Sequence, residues 1–302
     1  MRIFMTGGKG FVGTLLSRAL CAQGHQVTAL TRSVRGDEKT PEGVSLFQGD
    51  PTQPGPWQQQ VAGHEVIINL AGESVFKRWT REAKKRILDS RVETTRNLVE
   101  ALSPDASGTT LVSTSAVGYY GFHGDEALDE DSPPGDDFLA SVCRQWETGA
   151  IAAQSKGARV VICRLGIILG ERGGALQKMV PLFKKGLAGP LGSGKQWVSW
   201  IHQEDLAAIY LLLLEERSDL SGPVNCTAPH PVTNKEMTHV LAKVLNRPAV
   251  MPAMPAFAVR SLMGESSSLY LKGQKVLPQR LTEAGFSFQF PDLKGALSGL
   301  DL

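Results

Sequence analysis

The chain reaches Thr6-Gly7-Gly8-Lys9-Gly10-Phe11-Val12-Gly13 after one short apolar run, Ile3 to Thr6, and an apolar helical pattern follows at once. Gly8, Gly10 and Gly13 satisfy G-x-G-x-x-G between a strand and a helix, the context in which that spacing has a mechanical meaning. The early glycines permit a tight turn and let backbone N–H groups approach a pyrophosphate, the last lets the helix pack closely, and the helix N-terminus supplies a positive dipole end. This opening commits the chain to βαβ construction and a dinucleotide ligand, with Thr6, Gly7, Gly8, Gly10, Phe11, Val12 and Gly13 as the expected contacts.

The rest of the first two-thirds keeps the same rhythm. Apolar runs near Ile3–Thr6, Gln26–Thr31, Ser45–Phe47, Val66–Leu70, Thr110–Ser115 and Arg159–Arg164 read as buried parallel strands, with helices near Phe11–Gln23, Thr80–Leu102 and Phe138–Gln154. The fold class expected is α/β, a Rossmann-type doubly wound parallel sheet over residues 1–170, to which later segments return. A smaller C-terminal substrate lobe over 171–302 is Gly- and Pro-rich and carries a candidate lid at Gly186–Gly194, for which a plain surface loop is the alternative. At 302 residues, 42% hydrophobic, the chain can bury a sizeable core.

The end of the second strand bears on the choice of dinucleotide. An NAD site commonly places an acid there for the ribose hydroxyls; here the strand ends Ala29-Leu30-Thr31-Arg32, with no carboxylate and with a guanidinium able to pair a 2′-phosphate. Thr31 and Arg32 therefore point to NADP(H) over NAD(H). The competing reading makes Arg32 a solvated loop residue continuing through Ser33 and Arg35.

A formal charge of +2 gives no reason to expect nucleic acid. Cys21, Cys143, Cys163 and Cys226 lie far apart without metal or redox spacing and read as reduced thiols. The opening leaves no room for a signal peptide, and Leu206 to Leu214 is too short to span a bilayer, so the expectation is a cytoplasmic protein without a membrane partner. Gly189 to Gln196 nearly matches a P-loop but lacks its Ser/Thr, and Gln196 to Ile201 alternates like a strand.

Arg91 stands out by position: Ile87, Leu88, Leu98, Val99 and Leu102 fall on one helix face, and Arg91 lies inside that arc. A charge there needs a partner, either an internal carboxylate or an anionic ligand, a phosphate of the cofactor or an anion of the substrate, and Arg91 is counted among the cofactor-binding candidates.

Together these residues resemble the short-chain dehydrogenase/reductase superfamily in its extended, epimerase-like branch. The likeness runs through Gly7-x-x-Gly10-x-x-Gly13, Gly49-Asp50, Asn69-Leu70-Ala71-Gly72, Ser113-Thr114-Ser115, Tyr120-Gly121, Arg164 with Leu169-Gly170, and Trp200-Ile201-His202 with Asp205. Phe138-Leu139-Ala140, Trp146-Glu147, Gly186-Leu187 and Lys275-Val276-Leu277-Pro278 look like an atypical subgroup of that branch. The resemblance implies that Asp50 lies near the adenine, that Leu70, Ala71, Gly72 and Glu73 line the cofactor, and that Arg164 approaches the nicotinamide. Arg91 occupies a position usually held by Asn on a helix flanking the cleft. Asp205 reads as a helix N-cap and His202 as a packing residue.

Where the family keeps a tyrosine and, four residues later, a lysine, this chain has Leu139 and Cys143, so the usual proton relay is missing. Ser115 and Tyr119 are the remaining catalytic candidates; Tyr120 has the stronger reading as a wall residue. Two functions stay open: an NADP(H)-dependent oxidoreductase or epimerase-like enzyme acting on a small molecule, and a noncatalytic NADP(H)-binding regulator.

Overall fold

The computed structural model describes residues 1–34, 40–171, 173–215, 219–247 and 251–302; Arg35 lies outside them. Seven parallel strands build the main sheet: β1 (Arg2–Thr6), β2 (Gln26–Thr31), β3 (Val44–Gln48), β4 (Val66–Asn69), β5 (Thr110–Ala116), β6 (Arg159–Leu165) and β7 (Gly222–Cys226). Their order is β3-β2-β1-β4-β5-β6-β7. The chain winds outward from β1 in one direction, then returns to its other side at β4, which opens a crevice at the carboxyl ends of β1 and β4.

Parallel pairing requires long crossovers, and the helices that make them cover both faces. The four helices that matter below are α1 (Phe11–Ala22), α2 (Arg81–Ala101), α3 (Phe138–Ile151) and α4 (Gln203–Leu214). Side chains alternate across β1 accordingly. Ile3 and Met5 join Leu16, Leu20, Leu206 and Tyr210 on the α1/α4 face, while Phe4 joins Trp57, Leu98 and Leu111 on the other.

The sheet does not end near residue 170. Strand β7 pairs in parallel with β6, from Gly222 opposite Val161 to Cys226 opposite Leu165. Its Gly222-Pro223 start gives little strand signal in sequence, and proline is tolerated there because the strand lies at the edge. The remaining C-terminal elements, including the helices Leu176–Lys184, Asn234–Val244 and Leu293–Ser298, enclose a separate core around Leu169, Trp200, Leu241 and Leu297.

Candidate functional site

The glycine turn closes by backbone contact. Gly7 has φ +70, and a Cβ on it would stand 3.0 Å from the carbonyl carbon of Leu70. A Cβ on Gly8 would meet that of Ala29 at 2.6 Å, and one on Gly13 would lie 2.4 Å from Gly7 O. Gly13 thus lets the helix approach the turn itself. Thr6 pins the crevice floor: its buried hydroxyl donates to Asn69 Oδ1 at 2.8 Å and accepts from the N–H groups of Leu70 and Ala71, each at 3.2 Å. Gly10 is exposed, and α1 starts on it with no side-chain cap, leaving backbone donors of the first turn for a ligand. Phe11 seats its ring where Cβ atoms on Gly170 and Gly173 would come within 2.6 and 2.4 Å, and Val12 packs against the α1/α4 core.

Around the end of β2, Thr31 Oγ1 donates to Ser33 O at 3.1 Å, and Arg32 is exposed with no side-chain partner among the described residues. Lys9, from the glycine turn, reaches the same corner with its Nζ 3.3 Å from Ser33 O. Sequence reasoning passed over Lys9, although a cation between two of the turn's glycines was the available signal. Asp50, after β3, accepts from both the N–H and hydroxyl of Thr52, at 3.0 and 2.8 Å.

On the other side of the crevice, Leu70, Ala71 and Gly72 follow β4. The Glu73 N–H is bound by Ser90 Oγ at 2.9 Å, while Lys77 and Arg86 engage its carboxylate and hold it below the usual carboxylate range. Arg91 makes no ion pair among the described residues, so the internal-carboxylate reading is not what the fold contains. Its Nη1 donates to the carbonyls of Glu73 at 3.0 Å and Ile87 at 2.9 Å, and the guanidinium lies 5.1 Å from the centre of the Trp146 ring. Burial lowers its pKa.

Behind the β5 end lies a buried polar network. Arg164 grips Glu147 through two bonds, Nε to Oε1 at 3.0 Å and Nη2 to Oε2 at 2.9 Å, and its Nη1 donates to the Tyr120 hydroxyl at 2.9 Å and to Glu130 O at 3.2 Å. Ser115 Oγ donates to Glu147 Oε1 at 2.6 Å. Burial opposes the Arg164 charge, but Glu147 and Tyr120 outweigh it and raise the pKa. Tyr120 donates to Asn225 Oδ1 at 2.7 Å, and burial pushes its hydroxyl up to about 12. The Arg164 side chain is therefore spent inside the fold. Tyr119 lies across its guanidinium, with Cζ 3.5 Å from the ring centre, and leaves its own hydroxyl without a hydrogen bond among the described residues. Thr114 instead shares a 3.2 Å hydrogen bond with the Tyr210 hydroxyl.

Leu139 and Cys143, the residues expected at the tyrosine and lysine positions, are both packed into the fold. Leu139 packs in an apolar cluster with Trp79, Ile87, Val142 and Leu269. Cys143 is buried, and burial followed by the Glu147 charge pushes its thiol up to about 11. Sequence reasoning used Glu147 only as an alignment anchor. Its signal was the one used for Arg91, a charge on the buried helix face formed by Cys143, Trp146 and Ala150.

One expectation needs correction. Asp205 is not the N-cap of α4: the helix begins earlier, at Gln203, and His202 caps it by accepting from Glu204 N–H at 3.3 Å. The Asp205 carboxylate instead captures the chain far downstream, accepting from the N–H groups of Gln289 at 2.7 Å and Phe290 at 3.0 Å. His202 packs on Phe290 with 3.7 Å between ring centres, but its buried Nε2 has no partner among the described residues. The Gly186–Gly194 loop is tied down by Leu191 N–H to Asn234 Oδ1 and Gly192 N–H to Met254 O, each 2.9 Å.

A doubly wound sheet with a glycine cradle at the β1/β4 crevice defines a Rossmann-type protein of the short-chain dehydrogenase/reductase kind. The chain belongs to the NAD dependent epimerase/dehydratase family, whose model matches residues 3–227; a domain of unknown function, DUF1731, matches residues 254–300. It is 42% identical over 303 residues to the chloroplastic SDR39U1 homolog of Arabidopsis thaliana, an epimerase family protein, covering 99% of this chain and 86% of that one. With the epimerase family protein YfhF of Bacillus subtilis it shares 39% identity, covering 99% and 98% of the two chains. The human epimerase family protein SDR39U1 (isoform 2), solved with NADPH, superposes with a TM-score of 0.84 at 34% identity and 99% coverage of both chains. No helix among the described residues is long and apolar enough to cross a membrane.

Proposed function

We propose that this chain is a cytoplasmic NADP(H)-dependent oxidoreductase of the atypical, epimerase-like kind, acting on a small molecule without nucleic acid or membrane as partner. The observation that carries the reading is the glycine cradle beneath the uncapped start of α1, combined with Arg32 where an NAD site would hold an acid. The residues fit the cofactor: space that any Cβ at Gly7, Gly8 or Gly13 would crowd lies beside the uncapped start of α1, and Arg32 supplies a cation for a 2′-phosphate. The human relative solved with NADPH supports the same choice.

When bound, NADP(H) supplies or accepts a hydride. Ser115 is buried with its proton committed to Glu147, and its role in this reading is to accept a hydrogen bond from a substrate hydroxyl that reaches the end of β5. Tyr119, with an unengaged phenol, is the group that gives or takes the proton at that oxygen. The packed Leu139 and Cys143 favour the second reading, a cofactor-binding regulator. NADPH oxidation across a carbonyl panel separates the two. Once a substrate is found, Tyr119→Phe should slow single-turnover hydride transfer by roughly 10²–10⁴-fold and Ser115→Ala should also slow it, with NADPH affinity retained. Native rates in both variants would remove this pair from the chemistry.

A further inference from the structure

Arg91 forms no ion pair among the described residues, and its hydrogen bonds there run only to two backbone carbonyls. Glu73, whose carbonyl it binds, has its carboxylate engaged by Lys77 and Arg86, and Glu147, next to Trp146 in the chain, is engaged by Arg164. Two carbonyls satisfy Nη1, but no described residue accepts from Nε or Nη2. Those two atoms lie on the Gly72 side, where a Cβ would sit 3.1 Å from Nη2 and 3.3 Å from Nε, so only glycine lets the guanidinium come so near the crevice backbone. Trp146, beneath it, carries a buried Nε1 with no partner among the described residues. An aromatic face under a guanidinium favours the cation, yet leaves its charge uncompensated.

The position across the sheet decides which anion fits. The glycine turn belongs to β1 and Arg32 to the end of β2, whereas Arg91 stands beyond β4, against α3. Neighbouring strands are about 4.8 Å apart, so Arg91 lies on the order of 10 Å or more from the 2′-phosphate corner, on the side of Ser115 and Tyr119. We infer that Arg91 seats an anionic group of the substrate, a carboxylate or phosphate, through Nε and Nη2. The substrate is thus an anionic hydroxy or carbonyl compound, and the positive charge missing at Cys143 enters the site from α2. This inference rests on the cofactor reading above, because it assigns the cofactor's phosphates elsewhere.

The test titrates malonate and inorganic phosphate by calorimetry into the protein saturated with NADPH, for wild type, Arg91→Lys and Arg91→Met, after measuring NADPH affinity alone. The expected result is saturable binding of at least one anion to wild type, about tenfold or more weaker for Arg91→Met and partly kept by Arg91→Lys, with NADPH affinity unchanged within about twofold. Arg91→Met should also melt no lower than wild type without ligand, since it removes an uncompensated charge. Loss of NADPH affinity in Arg91→Met would overturn the inference by making the anion the cofactor's own. Anion binding that is absent, or indifferent to residue 91, would overturn it too. Failure of wild type to bind NADPH would instead strike the cofactor reading.

Discussion

Glu147→Gln keeps the shape of the side chain and removes its charge, which isolates what the buried carboxylate does. In the native fold Glu147 and Arg164 have side chains only 7% and 4% exposed and are joined by two hydrogen bonds, with Ser115 giving a third to the same carboxylate. Without the carboxylate, the Arg164 charge stays in a low-dielectric region with only neutral acceptors, the new amide oxygen, the Tyr120 hydroxyl and the Glu130 carbonyl. Breaking a buried pair this way costs about 3–5 kcal/mol, a large share of the roughly 5–15 kcal/mol that holds a domain together. The midpoint of thermal unfolding should fall by on the order of 10 °C. The double variant Glu147→Leu/Arg164→Met, which removes both charges, should regain much of that loss. Urea and thermal unfolding of the three proteins measure the cycle. A single variant within about 1 kcal/mol of wild type, or a double variant no better than the single, would refute the reasoning.

Four further outcomes follow from the geometry. Gly10→Val should fold and lose NADPH binding by calorimetry, because a Cβ there meets only Gly7 O, at 3.2 Å, and the added bulk projects over the exposed turn; wild-type affinity would contradict the cradle. Gly13→Val should fail at folding instead, its Cβ falling 2.5 Å from Gly8 Cα. Arg32→Ala should weaken NADPH by about tenfold or more and leave NADH nearly unchanged, and equal losses would take Arg32 out of the choice of cofactor. Burial holds His202 at about 4, below its ordinary 6.5, so the unfolded chain takes up the proton first. Stability is complete above pH 6.5 and is lost as pH falls toward 4, by up to about 3 kcal/mol. Asparagine caps helices well, so His202→Asn should flatten that part of the pH profile, and parallel losses in both proteins would exclude His202 as the source.

The amino-acid order alone settled what local geometry settles. A strand, three spaced glycines and an apolar helix lie within the first 22 residues, and the close contacts at Gly7, Gly8 and Gly13 that define the cradle are the ones such spacing demands. Six of the seven main strands were legible as short runs rich in aliphatic residues, because strands covered on both faces favour such a composition. The absence of an acid at Thr31-Arg32 and the absence of a tyrosine from the stretch Phe138 to Glu147 were equally plain, being matters of residue identity. Pairing between distant residues was not. Arg164 meets Glu147 from 17 residues away, Tyr120 meets Asn225 from 105, and Asp205 binds backbone 84 residues downstream, and nothing in periodicity says which polar groups will face one another. The sequence marked Arg91 as a charge on an apolar face. Only the packed structure showed that no carboxylate among the described residues pairs with it, because Glu73 and Glu147 are bound to other cations. Polar pairing of this kind is chosen by tertiary packing, which must satisfy every buried charge at once, whereas a turn or a strand is chosen by the few residues that compose it.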